Sequence, residues 1–221
     1  MRKYIVVDWD HTLTSRDSPE NCWVYKAFEK VDRPAVRVLR PVVKYKLHKN
    51  PNKDPKGWEI KLVAWLAGGI SLEDVYLGLG ELPENKELIQ VLKAKKDEGY
   101  KVVIVSAALK PAAKHWINKL QEKYGKVIDD VYGIDVNVKE DKIAGLNMDD
   151  EYTKLAVSKG IPTAKSFAIA ELSRHGQVDY TIGNAPGDSP NIHAIKEFNG
   201  HFGGTHIELR YGREVNYTKI F

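Results

Sequence analysis

The 221 residues are 43% hydrophobic and 29% charged, which is enough apolar side chain to bury a full core and excludes a disordered or fibrous chain. The single cysteine cannot form an internal disulfide, and no apolar run is long enough for a signal peptide or a membrane helix, so we expect a cytoplasmic protein with no membrane partner. The net charge of +4 gives no reason to expect nucleic acid as a partner.

Three short apolar runs predict strands that are buried on both faces of a parallel sheet. They cover residues 3–7 (KYIVV), 101–105 (KVVIV) and 178–182 (VDYTI). The first run ends at Asp8, the second at Ser106 and the third at Gly183 and Asn184. Because ligands bind beyond the carboxyl ends of the strands in open parallel sheets, we expect these residues to meet at one edge.

Helical patterns lie between and after these strands. Apolar residues recur at helical spacing in residues 83–99, 111–124, 149–159, 166–175 and 190–198. Helices that alternate with strands indicate βαβ units. The sequence therefore predicts an α/β fold with a doubly wound, Rossmann-like parallel sheet.

Residues 15–82 interrupt this alternation, because they contain no strand pattern. Their helical patterns cover residues 20–31, 34–47, 58–66 and 71–79. Ser71, followed by Asp74, resembles the capping arrangement at the start of a helix. We therefore predict a small α-helical cap domain of residues 15–82, inserted into an α/β core domain of residues 1–14 and 83–221.

Positive charge is concentrated within this insert. Between Asp32 and Lys56, eight basic residues stand against two acidic ones, a net charge of +6, and Arg33, Arg37 and Arg40 recur at helical spacing. The segment is either the solvated face of an amphipathic helix or a surface that attracts an anionic substrate, such as a nucleotide or a polyphosphorylated compound.

The strongest chemical signal is DWDHT at residues 8–12, directly after the first strand. Asp8 and Asp10 are two residues apart at the end of a strand, so both can reach one site if the chain turns into a loop there. Taken alone, a pair of acids at the end of a strand usually marks only where the strand stops.

Four segments, in order along the chain, resemble the motifs of the haloacid dehalogenase superfamily. They are VVDWDHT (6–12), VVIVS (102–106), Lys165 at the opening of a helix, and IGNAPGD (182–188). Lys142, Lys154 and Lys159 compete for the third motif, and Lys165 is preferred because a helix pattern and then a strand pattern follow it. The resemblance implies a Mg²⁺-dependent phosphatase that acts on a small phosphorylated metabolite.

The resemblance also implies a role for each residue of these motifs. Asp8 would be the nucleophile that becomes transiently phosphorylated, and Asp10 the general acid and base. Ser106 and the backbone N–H of Ala107, near a helix start, would bind the phosphoryl group, while Lys165 would offset the negative charge. Mg²⁺ would be held by the Asp8 carboxylate, the Asp10 backbone carbonyl and the fourth motif.

The fourth motif departs from the usual form, in which Asp directly follows Gly and another acid comes four residues later. Here Asn184 follows Gly183, and Asp188 comes four residues after Asn184. Asn184 and Asp188 are therefore the expected metal ligands, with one negative charge fewer than usual. An alternative register pairs Gly187 with Asp188, followed by Asn191.

The position of the helical insert resembles that of the cap in phosphoserine-phosphatase-like members. In phosphoserine phosphatases a Glu nine residues after the nucleophile contacts the substrate amine, and Asp17 holds that position here. Two other functions remain open. One is binding of a phosphorylated ligand or nucleic acid with little turnover, and the other is phosphoryl transfer to an acceptor other than water.

Overall fold

The computed structural model describes residues 1–15, 60, 64, 67–80, 82–184, 188–190, 192–209 and 217. Within these residues, one parallel sheet contains β1 (Lys3–Val7), β2 (Tyr100–Leu109), β3 (Asp130–Ile134), β6 (Gln177–Gly183) and β7 (Thr205–Glu208). A separate antiparallel hairpin consists of β4 (Val136–Lys139) and β5 (Lys142–Leu146). The strands predicted at residues 3–7, 101–105 and 178–182 are thereby confirmed.

The described helices are α1 (Leu72–Leu79), α2 (Lys86–Asp97), α3 (Lys110–Tyr124), α4 (Glu151–Lys159), α5 (Ile161–His175) and α6 (Ile192–Glu197). Polar side chains cap three of them: Ser71 accepts a hydrogen bond from the Asp74 N–H, Asn85 from Leu88, and Asp150 from Thr153. α3 and α5 begin instead with a proline in the first turn, where no backbone N–H is needed. No helix in this part of the chain is long and apolar enough to cross a membrane.

The sheet is doubly wound around β1. Its strand order is β3-β2-β1-β6-β7, and each neighbouring pair is parallel. After β1, the chain adds β2 and β3 on one side of this strand and later adds β6 and β7 on the other side. The strand order therefore reverses between β1 and β6, which is the switch point of the sheet. Ile5 and Val7 are completely buried, as expected for a central strand covered on both faces.

Two predicted boundaries are wrong in ways that affect the site. β2 continues through Ser106 to Leu109, because β3 pairs with it beyond the end of β1, with Leu109 opposite Ile134. Ser106 therefore lies inside the strand and does not end it. α5 begins at Ile161, so Lys165 lies in the second turn and does not open the helix.

The insert predicted at residues 15–82 lies mostly outside the described residues, including the patterns at 20–31 and 34–47. The pattern at 71–79 is confirmed as α1, whose buried Val75 and Leu79 face the core. The chain leaves and returns at adjacent points, since the Ser15 N–H donates to the Pro83 carbonyl at 2.7 Å. The division into a cap and a core stays a prediction.

Candidate active site

Three charged side chains from separate elements converge at the carboxyl edge of the sheet. Asp8 follows β1, Asp188 follows β6, and Lys165 projects from α5. The Lys165 ammonium donates a hydrogen bond to Asp8 Oδ1 at 2.9 Å and another to Asp188 Oδ1. All three residues are less than 9% exposed. Residues that are 157 and 23 positions apart in sequence therefore form one buried cluster.

Backbone contacts hold both carboxylates at the switch point. The Asp8 N–H donates to the Ile182 carbonyl at 2.9 Å, which fixes the residue after β1 against β6. Asp188 lies against the backbone of Gly183, where any Cβ would collide with the Asp188 side chain. A glycine at the end of β6 is therefore required for the loop to return Asp188 to this edge.

Among the described residues, the cluster carries more negative than positive charge. Burial and, to a smaller extent, the nearby Asp188 carboxylate raise the pKa of Asp8, while Lys165 lowers it, and the resulting pKa is about 7. Burial would lower the pKa of Lys165, but the two carboxylates outweigh burial and hold it above its usual value. Within the part of the chain that the structure describes, one ammonium thus pairs with two buried carboxylates, an arrangement that another cation would stabilise.

The chain turns sharply directly after Asp8. Within the turn Trp9–Leu13, Asp10 has extended backbone angles and His11 adopts a left-handed conformation with φ of 55°. Asp10 is half-buried and no longer follows the alternation of the strand, which would have directed it to the opposite face. Trp9 is fully buried and packs on Trp116 of α3, with ring centroids 5.6 Å apart.

Ser106 is buried inside β2, and both of its oxygens accept hydrogen bonds. The hydroxyl oxygen accepts from the Ala108 N–H at 3.2 Å, and the carbonyl accepts from the Tyr152 hydroxyl at 2.9 Å. The Ser106 hydroxyl keeps its own hydrogen to donate. Ala107 is exposed and lies in β2, three residues before α3 begins, so its N–H belongs to the strand and not to the first turn of the helix.

Tyr152 is a site residue that the sequence does not reveal. It lies on α4, is buried, and fixes the backbone of Ser106 from 46 positions away. Burial raises the pKa of its phenol, so it remains a hydrogen-bond donor at neutral pH. No local pattern marks a buried tyrosine as a partner of a distant strand.

The remaining predicted residues are only partly placed. Asn184 is half-buried directly after β6, whereas Asp17, Gly187 and Asn191 lie outside the described residues. Within the described part of the chain, no group of three or more His, Cys, Asp and Glu side chains could hold a metal. The available oxygen donors are two carboxylates, an amide and a backbone carbonyl. These hard donors fit Mg²⁺, which usually keeps several water or phosphate ligands.

Several solved structures match the fold over nearly the whole chain, and their TM-scores are similar. A phospho-aspartyl intermediate analogue of phosphoserine phosphatase has a TM-score of 0.63 at 17% identity, covering 99% of this chain and 97% of that one. A substrate-bound phosphoserine phosphatase has a TM-score of 0.62 at 17% identity, covering 95% and 94%. A cytosolic 5′-nucleotidase IIIB bound to cytidine has a TM-score of 0.63 at 12% identity, covering 95% and 72%. At sequence identities this low, the comparisons show a similarity of fold alone.

Comparison of the sequence identifies the family. No curated protein matches at a significant level. The family model described as haloacid dehalogenase-like hydrolase matches residues 5–191, a span that contains Asp8, Ser106, Lys165 and Asp188. This confirms the resemblance that the four motifs indicated, and the fold agrees with the phosphoserine-phosphatase-like branch. The chain belongs to the haloacid dehalogenase-like hydrolases.

Proposed function

We propose that this protein is a Mg²⁺-dependent phosphomonoester hydrolase that acts on a small phosphorylated metabolite through an aspartyl-phosphate intermediate. The observation that carries the proposal is the buried cluster in which Lys165 bridges Asp8 and Asp188 at the switch point of the sheet. An acid in this place has the reach and the electrostatic support to act as a nucleophile. Membership in a hydrolase family supports the same reaction class.

In the first half of the reaction, an Asp8 carboxylate oxygen attacks the phosphorus of the substrate. The bond between phosphorus and the leaving oxygen breaks, and that oxygen takes a proton from Asp10. Lys165 stays charged beside Asp8 and offsets the negative charge that collects on the transferring group. The Ser106 hydroxyl can donate a hydrogen bond to a phosphoryl oxygen.

In the second half, water attacks the phosphorus of the aspartyl-phosphate and gives its proton to Asp10. Inorganic phosphate leaves, the Asp8 carboxylate is restored, and Asp10 is protonated for the next cycle. Burial of the cluster favours this sequence because few water molecules compete with Asp8 for attack on the phosphorus in the first half.

The residues that would hold Mg²⁺ are Asp8, Asp188, Asn184 and the backbone carbonyl of Asp10. When bound, the ion would neutralise charge on the phosphoryl oxygens and on the two carboxylates. Its presence would account for the two buried carboxylates that both pair with Lys165.

The identity of the phosphorylated metabolite rests on similarity. The two phosphoserine phosphatases named above make serine phosphate one candidate, and Asp17, by its position in the sequence, would be the residue to contact the amine. Another neighbour is a 5′-nucleotidase, which makes nucleoside monophosphates a second candidate. A screen of phosphorylated metabolites would distinguish the two.

The proposal is tested by phosphate release from an aryl phosphate with and without Mg²⁺, using the native protein and Asp8→Asn. The native protein should release phosphate only with the metal, and Asp8→Asn should release none, because the amide keeps the shape but cannot attack phosphorus. Circular dichroism checks that the variant is folded. Normal turnover by Asp8→Asn would exclude the mechanism, and the absence of release from any substrate would favour a binding protein. Added alcohols would reveal phosphoryl transfer to another acceptor.

A further inference from the structure

A polar cavity lies beside the amino-terminal half of α3, and the described residues that line it include none of the buried cluster. Its volume is about 380 Å³, which is within the range of small-molecule sites. The polar side chains that line it are Tyr76, Lys110, Lys114, His115, Asn118 and Asp135.

The described lining comes from α3, from α1 and from Asp135, which lies between β3 and β4. α3 contributes Lys110, Lys114 and Asn118, which are four residues apart and therefore share one face of the helix. α1, which belongs to the predicted insert, contributes Tyr76, and its ring stacks on that of His115 with centroids 4.0 Å apart and planes 3° apart. The lining of the cavity therefore combines a residue at the end of the predicted insert with residues of the predicted core domain.

The charge of this cavity favours an anion. Lys110 lies 3.8 Å from Asp150, whose carboxylate is already used to cap α4. Lys114 is exposed and has no ion pair within the described residues. Among the described residues that line the cavity, Asp135 is the acid, and its carboxylate accepts hydrogen bonds from the Val136 N–H and the Asn147 amide. In this described part of the lining, two ammonium groups and one amide therefore accompany one carboxylate that already accepts two hydrogen bonds.

The cavity and the proposed nucleophile share the carboxyl edge of the sheet. β2 carries Ser106 and leads directly into α3, so Lys110 comes four positions after Ser106. At the rise of an extended chain this separation is at most about 13 Å. A small substrate whose phosphoryl group contacts Asp8 could thus place its other end in the cavity.

We propose that this cavity binds a second phosphate group, carried on the leaving group, so that the substrate class is a small bisphosphorylated metabolite. The inference rests on the proposed function, since it assumes that the first phosphate binds at Asp8. Lys114 and Lys110 supply charge-assisted hydrogen bonds to the second phosphate, and Asn118 supplies a neutral donor.

Binding can be measured separately from turnover by using the Asp8→Asn protein with Mg²⁺. Calorimetry with a series of α,ω-alkanediol bisphosphates and alkyl monophosphates of equal chain length gives the ratio of their affinities. We expect the best-fitting bisphosphate to bind about tenfold more tightly than its monophosphate. Equal affinity at every chain length would overturn the proposal, whereas loss of the proposed function would appear independently as absence of phosphate release by the native protein.

A pair of matched variants assigns the effect to the cavity. Lys114→Gln should lower the affinity ratio by about threefold or more, because it removes one exposed positive charge from the lining. Lys93→Gln, the same change at an exposed lysine of α2, should leave the ratio as it is. If both variants change the ratio equally, or neither does, the preference for bisphosphates does not arise in this cavity.

Discussion

Lys165 is as deeply buried as the two carboxylates that it bridges. We therefore expect the largest loss of activity and stability when this residue is replaced. In Lys165→Met the side chain keeps its length but loses its charge, so Asp8 and Asp188 would remain buried without their cation. We expect phosphate release to fall by more than about 100-fold. Without added Mg²⁺, the free energy of unfolding should fall by about 3 kcal/mol, measured by urea denaturation.

The matched control for this prediction is Lys154→Met on α4, where the lysine side chain is 59% exposed and paired with Glu151 three residues earlier. Exposed pairs of this kind contribute little, so activity and stability should both stay near those of the native protein. Equal effects of the two substitutions would mean that the buried cluster has no special role.

Asn184 provides a second prediction for a single residue, because it stands where the family usually has an acid. If its side chain contacts Mg²⁺, Asn184→Asp adds a negative charge to the ligand set and should lower the Mg²⁺ concentration that gives half-maximal activity. A magnesium titration of phosphate release measures this concentration. An unchanged half-saturation point would favour the alternative register, in which Asp188 is the direct ligand.

The resemblance to the family motifs predicted Asp8, Lys165 and Asp188 as site residues, and the structure brings their side chains together. The actual contacts between them depend on the β1–β6 pairing and on the return of the loop against Gly183, which no local pattern contains. Tyr152 was missed for a related reason, since its contact with Ser106 joins two elements and has no spacing rule.

At the scale of elements, Asp129 connects α2 to the sheet. Its carboxylate accepts hydrogen bonds from the Lys96 ammonium at 2.6 Å and from the Val102 N–H at 2.9 Å. Burial alone would raise the pKa of Asp129, but these bonds, together with the charges of Lys96 and Lys101, hold the pKa below its usual value. The ionised form is therefore the one that stabilises the fold.

We predict that Asp129→Asn lowers the free energy of unfolding by about 1 kcal/mol at pH 7, since charge-assisted bonds become neutral ones. Because the pKa of the folded state is the lower one, the contribution is present above the pKa of the unfolded chain, near 3.9, and disappears as the pH falls through the folded value. Urea denaturation at pH 7 and at successively lower pH should show the difference from the native protein shrinking only below about pH 4.

The exposed Asp149, directly before the cap of α4, provides the control for this comparison. Asp149→Asn makes the same chemical change without removing a bond to another element, so its effect at pH 7 should be smaller. A constant stability deficit for Asp129→Asn across the whole pH range would show that the loss is one of packing and not of charge.

The elements that sequence analysis missed are those without a continuous apolar run. β3 (DVYGI) contains an acid and a glycine, and β7 (THIE) has a single fully buried side chain. The β4–β5 hairpin is mostly exposed and turns at Glu140 and Asp141, both with positive φ, without the Asn-Gly or Asp-Gly pair that usually marks such a turn. Helices were found more completely because their caps and apolar spacing are local.

At the scale of the whole molecule, the predicted doubly wound sheet is confirmed, but its strand order could not be derived. Position in the sheet depends on which strands pair, and β3 and β7 at the two edges were not among the predicted strands. The three predicted strands are the three central ones, since only strands buried on both faces give a continuous apolar pattern. The candidate site lies at the ends of the same central strands. Its residues are therefore easier to locate from the sequence than the edge strands β3 and β7.

The basic segment of residues 32–56, which lies outside the described residues, gives the prediction that concerns the molecule as a whole. Its +6 charge contrasts with a net charge of −2 for the rest of the chain. If this charge attracts anionic substrates, changing Arg33, Arg37 and Arg40 together to Gln should lower kcat/KM more for a multiply charged phosphate ester than for a singly phosphorylated aryl substrate. Gln keeps the length and the helix propensity of the segment.

Ionic strength separates long-range attraction from direct contact in this experiment. Attraction by the segment acts over distance, so the difference between the triple variant and the native protein should fade as salt shortens the screening length to about 8 Å. The control variant changes three exposed lysines of the predicted core domain to Gln: Lys93, Lys126 and Lys139. It removes the same amount of positive charge as the arginine variant, but outside the basic segment. Circular dichroism checks folding. Equal losses for both substrates, or equal losses for the two triple variants, would indicate a solvated helix face with no part in substrate choice.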